Sequence, residues 1–357
     1  MDRVTTSVLI PASGPSGLFG PSTRDCAVLA CKEINDAGGI LGRELELNFI
    51  DVGKPLVDVV NEVGASIRDG AVALVGAHDS AVRRAVCAEV GKQVPYIYTP
   101  PYEGDETGAG LIVLGETPYQ QLSRVLPWFM EKKQINTWFL LGNSYQWPYV
   151  TNWLAKQYIG ILGGETLAEE YVPFGCENFD HALRRIDELK PDGILITLVG
   201  NDSVSFNRAF AERGYAESII RLGLLIEENT LLGIGVENSR GIYSVSGYFT
   251  CIDTAANNAF IERYTSMFGS HAPVLNVVGQ SCYDGLHLLA WMAAKAKSLD
   301  ANKVSALSEG FVFESPRGLT TIHNHHSTKT IYLGAAEGID FTIEASFSAV
   351  PALAPSH

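Results

Sequence analysis

A chain of 357 residues with 46% hydrophobic and 18% charged residues folds around one large core or two moderate ones, and this length favours two domains. A formal net charge of −14 argues against a nucleic-acid partner, which would need clustered Lys and Arg, and it disfavours a strongly anionic ligand. No apolar run is long enough to span a bilayer, so membrane insertion is not expected.

The N-terminus, MDRVTTSVLIPASG, runs straight into a predicted strand at Val4–Ile10. It lacks the charged start, apolar core and small-residue cleavage site of a secretory leader. The expectation is a cytoplasmic protein, or a periplasmic one whose leader has been removed. Cys26, Cys31, Cys87, Cys176, Cys251 and Cys282 form no CxxC pair and read as free thiols, which suit a reducing compartment.

Ser22 and Asp25 resemble a capping box ahead of a helix whose face is Cys26, Leu29, Ala30 and Ile34, stopped by Gly38-Gly39. A strand at Glu44–Asp51 and a helix at Val57–Ile67 follow. Next come a strand at Ala71–Gly76, a helix at Ser80–Val90 with Ser80 as its cap, and a strand at Pro95–Thr99. Leu111–Leu114 is a further strand, and Pro118 opens a helix ending near Lys133.

A second series then begins. Strands are predicted at Thr137–Gly142, Glu165–Val172, Gly193–Leu198, Ile219–Leu225 and Gly241–Phe249, with helices at Tyr149–Ile161, around Phe179–Leu189 and at 202–212. Strand and helix alternate without hairpin signals, which implies parallel strands and an α/β fold. Two helices, about 254–267 and 275–297, lead to a tail of short strands at Phe311–Ser315, Gly318–His323, Thr328–Leu333 and Phe341–Phe347.

No phosphate loop, GxGxxG, HExxH or GxSxG motif is present, and no nucleophile–base pair is evident. His323, His325 and His326 lack a nearby Cys or Asp cluster, so no metal and no cofactor is expected. The chain does not read as an enzyme. Polar and aromatic residues instead gather at strand ends, where open parallel sheets bind ligands. In the first half these are His78, Ser80, Tyr98, Pro100, Pro101 and Tyr102; in the second they are Tyr145, Trp147, Gly200 and Glu227. Caps and solvated loops account for many such residues, but two large aromatics in one loop, Tyr145 and Trp147, are costly to expose without a function.

Several segments carry a family resemblance: NDAGGILGRELEL (Asn35–Leu47), ALVGAHDSAVRRAV (Ala73–Val86), YTPPYEG (Tyr98–Gly104), PYQQ (Pro118–Gln121), GNSYQWPYVTN (Gly142–Asn152), TLVG (Thr197–Gly200), YFTCIDT (Tyr248–Thr254) and SPRG…NHHS (Ser315–Ser327). In order and kind they resemble type I periplasmic binding proteins of the amide- and urea-receptor branch, closest to its cytoplasmic amide-sensing members. That resemblance implies two Rossmann-like parallel-sheet lobes joined by three hinge crossings and closing over a small ligand. The lobes would be residues 1–118 with 252–327, and 119–251 with 328–357. It implies that Ser80, Pro101 and Tyr145 hold an amide group. His78, Pro100 and Trp147 stand where the amide sensors have tyrosine, threonine and tyrosine, and Tyr119 replaces an asparagine.

The function so implied is a non-enzymatic sensor of a small neutral amide, urea-like or planar nitrogenous ligand, regulating amide-utilisation genes with an antitermination regulator as partner. The alternative is the solute-binding protein of an ABC importer, with a permease as partner. Homodimerisation is compatible with either, and an enzyme on the same scaffold is the reading from another class. For the ligand, Trp147 and His78 suit stacking and edge hydrogen bonds to a planar compound.

Overall fold

A computed structural model describes residues 2–104, 106, 108 and 110–353. The first half holds β1 (Arg3–Ile10), β2 (Glu44–Asp51), β3 (Ala71–Gly76), β4 (Tyr96–Tyr98) and β5 (Leu111–Val113). The second holds β6 (Thr137–Asn143), β7 (Glu165–Val172), β8 (Gly193–Thr197), β9 (Ile220–Gly223) and β10 (Ile242–Ser246). The tail adds β11 (Phe311–Ser315), β12 (Gly318–His323), β13 (His326–Glu337) and β14 (Asp340–Val350). The chain divides into two compact units, Met1–Gly115 with Asp253–Lys329 and Glu116–Ile252 with Thr330–His357, so it passes between them at three places.

In the first unit the strand order is β2-β1-β3-β4-β5, all parallel, followed by the start of β13, with β12 and β11 added antiparallel. The central strands are continuous apolar runs because helices cover both faces of such a sheet. Leu9, Leu74, Val75 and Ile97 are wholly buried. Register aligns Leu9 with Gly76 and Gly76 with Tyr98. The loops after β3 and β4 therefore leave from one edge, and that edge carries the candidate residues.

In the second unit the order is β14-β13-β10-β9-β8-β6-β7, parallel from β10 to β7. The later part of β13 lies antiparallel to β10. Gly142 pairs with Thr197, so the turns after β6 and β8 also share an edge. The fold is thus mixed α/β with mostly parallel sheets, as the alternation of elements requires.

Local departures from the sequence reading have physical causes. Ser22 is not a cap: it lies inside the helix Gly20–Asp36, which has no side-chain cap and starts with Pro21 in its first turn. The helix expected from Pro118 to Lys133 is three pieces, Pro118–Leu122, Val125–Trp128 and a wide π turn at Phe129–Lys133. Pro127, with no N–H to give, sits inside that run. Its first piece has a full capping box between Thr117 and Gln120. A helix at Ala301–Ala306, capped by Asp300, was not expected from the sequence.

Candidate functional site

The six candidates of the first unit lie at the carboxyl edge of β3 and β4. Most of their side-chain polar atoms are already engaged within this unit. The His78 ring donates from Nδ1 to the Asp79 carbonyl at 3.1 Å and accepts at Nε2 from the Tyr96 hydroxyl at 2.5 Å. Burial, with a lesser push from Arg83, lowers its pKa to about 4, so the ring is neutral near pH 7. The Tyr98 hydroxyl donates to the His78 carbonyl at 2.6 Å. Tyr102 stacks on His326, with centroids 5.6 Å apart and planes 5° apart, and a 2.5 Å hydrogen bond joins its hydroxyl to His326 Nδ1.

Behind these rings lies a cation. Arg83 is fully buried, places its guanidinium 4.8 Å from the Tyr98 ring centre and pairs with Glu103 at 2.5 Å and with Glu106. The loop after β4 is thereby tied to the helix after β3. Pro100 and Pro101, both half-buried, start that loop. Its path needs glycine at 115, because a Cβ there would lie 1.6 Å from the Pro100 carbonyl oxygen.

Ser80 is the exception to this closure. The sequence reading made it the helix cap, but the cap is Asp79, whose carboxylate accepts from the N–H groups of Ala81 and Val82 at 2.8 and 2.9 Å. Asp79 has the extended backbone a cap needs, whereas Ser80 is already the first helical residue. Ser80 is 1% exposed and its hydroxyl has no partner among the described residues. A buried, unpaired hydroxyl at a strand-to-helix corner is a ready hydrogen-bonding position.

In the second unit Tyr145 is the residue before the helix Gln146–Ile161. Trp147, expected in a loop, is inside the first turn of that helix and 2% exposed. Tyr145 packs 6.4 Å from Trp147 and 5.0 Å from Phe174, ring centre to ring centre, and the indole N–H of Trp147 is buried without a partner among the described residues. Phe174, 38% exposed, is absent from the sequence candidates; its signal was a large aromatic just past an edge strand.

Gly200, at φ +59° and ψ −127°, forms the turn into the helix Asn201–Glu212, a conformation that favours glycine. Asn143 fixes that turn, accepting from Val199 N–H at 2.8 Å and donating to Asp202 at 2.7 Å. Glu227 caps the helix Glu228–Ile234 and accepts from Asn229 N–H, Thr230 N–H and the Thr230 hydroxyl, so both its oxygens are engaged. Burial raises Glu227 to about 7 and Glu228 to about 8.

The three tail histidines point to different partners: His323 to Glu309, His325 to Ser308, and His326 to Tyr102. No group of three His, Cys, Asp or Glu that could hold a metal occurs among the described residues.

Comparison with known proteins adds the following. Residues 4–338 match a family model described as periplasmic binding protein. A Leu/Ile/Val-binding protein homolog of Brucella melitensis is 32% identical over 112 residues, a stretch covering 30% of this chain and 30% of that protein. A solute-binding protein of an ABC transporter from Rhodopseudomonas palustris HaA2, solved with p-hydroxybenzoic acid, superposes with a TM-score of 0.89 at 20% identity, over 98% of each chain. LivJ of Streptococcus pneumoniae, solved with isoleucine, gives 0.86 at 22% identity over 98% of this chain and all (100%) of that one.

Proposed function

The chain belongs to the periplasmic binding protein family, and from that premise we propose that it is the solute receptor of an ABC importer for a planar aromatic compound. The observation that carries the ligand class is the aromatic cluster of Tyr145, the buried Trp147 and the part-exposed Phe174, with an indole N–H that has no partner among the described residues. Rings on such a surface gain offset or edge contacts worth about 0.5–1.5 kcal/mol beyond their area. The p-hydroxybenzoate bound by the Rhodopseudomonas protein supports this class.

Isoleucine in the LivJ structure represents the competing class. An amino acid needs a counter-charge for its ammonium group. Glu227 and Glu228, raised by burial to about 7 and about 8, are only partly ionised at neutral pH, and both oxygens of Glu227 are already engaged by its own helix. On this reading the partner is an ABC permease and the protein works outside the cytoplasmic membrane. The relatives just described support the importer role over gene regulation by an amide sensor.

A thermal-shift panel tests the proposal, since a ligand raises stability as RT ln(1 + [L]/Kd). Benzamide, 4-hydroxybenzoate, acetamide, urea and leucine form the panel. The largest shift is expected from an aromatic member; a larger shift from leucine, acetamide or urea overturns the aromatic reading.

A further inference from the structure

We infer that the loop after β4 and the two segments by which the chain leaves the first unit, residues 113–115 and 325–329, form one rigid element, so that a load on the loop reaches both exits. The chain leaves this unit after Gly115 and again after Lys329. Both exits begin where β5 meets the start of β13: Val113 stands opposite His326, and its N–H donates to the His325 carbonyl at 2.8 Å. One acceptor joins them further along. The Leu114 carbonyl accepts from the Ser327 hydroxyl at 3.0 Å and from the Lys329 ammonium group. Both donors are buried, Ser327 wholly and Lys329 to 2% exposure. An ammonium group in the interior is tolerated only where oxygen atoms replace its water, and that need holds Lys329 in place.

The loop is fastened to the same two segments. The Leu114 N–H donates to the Tyr98 carbonyl at 2.8 Å, where the loop starts. Gly115 lies so close to the loop that a Cβ there would stand 1.6 Å from the Pro100 carbonyl oxygen and 2.9 Å from the Pro101 nitrogen. Tyr102 reaches the other exit, stacked on His326 and hydrogen-bonded to its Nδ1. Loop to first exit, loop to second exit and exit to exit therefore close a ring of contacts. Close-packed, hydrogen-bonded groups of this kind move together rather than yielding a little at each joint. The chain's return to this unit at Asp253 is tied differently: Asn258 donates to the Asp253 carboxylate at 3.0 Å, and Thr254 caps the helix Ala255–Phe268.

Pro100, Pro101 and Tyr102 are candidate ligand contacts, so whatever holds this loop also bears on both exits. The coupling is independent of the ligand class and is measurable in the free protein. Hydrogen exchange of the full chain, followed by mass spectrometry, reports the local openings of each segment. Lys329→Met removes the ammonium group and keeps the stem; Ser327→Ala is a milder second variant, and neither residue lies on the loop. Exchange at residues 111–115 and 325–329 is expected to rise about tenfold in Lys329→Met and about fivefold in Ser327→Ala, the scales of a lost charged and a lost neutral hydrogen bond. A comparable rise is expected at residues 99–104, with residues 253–258 and β7 unchanged.

Faster exchange confined to the two exits, with the loop unchanged, overturns the coupling. An equal rise at residues 253–258 and in β7 also overturns it, since that is general loosening, and so does no change in any segment. If Lys329→Met does not fold, Ser327→Ala alone decides.

Discussion

Ser80→Ala separates a binding hydroxyl from a structural one. In the protein alone the Ser80 Oγ is buried and unpaired among the described residues, while the helix cap rests on Asp79 at 2.8 and 2.9 Å. Removing the hydroxyl therefore leaves the cap intact and relieves an unsatisfied polar atom. An unpaired buried group costs about 1–3 kcal/mol, and partial relaxation in the mutant brings the expected gain in unfolding free energy to about 1 kcal/mol or less. In the complex the same change deletes one hydrogen bond, worth about 0.5–1.5 kcal/mol, or roughly a twofold to tenfold loss of affinity. Stability and affinity are thus expected to move in opposite directions. Urea denaturation of the free protein and calorimetric titration with the best ligand of the panel read the two separately. A mutant destabilised by 1 kcal/mol or more, with unchanged affinity, refutes the reasoning and makes Ser80 part of the fold alone.

Arg83→Met should destabilise the protein by about 3–5 kcal/mol in denaturant melts, because it strands the Glu103 carboxylate in the interior, and Glu103→Gln in the same chain should recover much of the loss; a single mutant within 1 kcal/mol of wild type would show the pair to be dispensable. Glu228, raised by burial to about 8 when folded against an ordinary unfolded value of 4.5, binds its proton more tightly in the native state. Its contribution is therefore present below pH 4.5 and is lost as pH rises toward 8, at about 1.4 kcal/mol per pH unit. Glu228→Gln should accordingly gain stability relative to wild type at pH 8 compared with pH 5, and a difference independent of pH would contradict the assignment. Tyr102→Phe, which removes the hydrogen bond to His326 Nδ1 in the buried stack, should cost about 0.5–1.5 kcal/mol in the same melts; no measurable change would mean that the hydroxyl is idle.

Much of this fold was legible because its signals are local. Glu165–Val172, Phe311–Ser315 and Gly318–His323 are strands, and Ser80–Val90 a helix, with the bounds that apolar patterning predicts. Cap identity was harder, since Asp79 and Ser80 are both good cap residues and only the backbone turn decides between them. Side-chain direction was harder still. Tyr98, Tyr102 and His78 have the chemistry of a binding site, yet their hydrogen bonds run to each other's neighbours and to His326, which is 224 residues from Tyr102. A buried hydroxyl with a distant partner looks in sequence the same as one without, and Ser80 is distinguished only once the surroundings are placed. Tyr145 and Trp147 were noticed for their size, but Phe174, which packs on Tyr145, comes from another strand end and has no spacing to reveal it.

The central claim is that this receptor takes a planar aromatic ring, and calorimetric titration with benzamide, cyclohexanecarboxamide and leucine tests it most directly. The first two share a polar end and differ in the flatness and π-character of the ring. Stacking on Tyr145, Trp147 and Phe174 predicts benzamide tighter by about threefold to tenfold, with leucine the weakest of the three. Equal affinity for the two carboxamides, or leucine binding most tightly, would contradict the account.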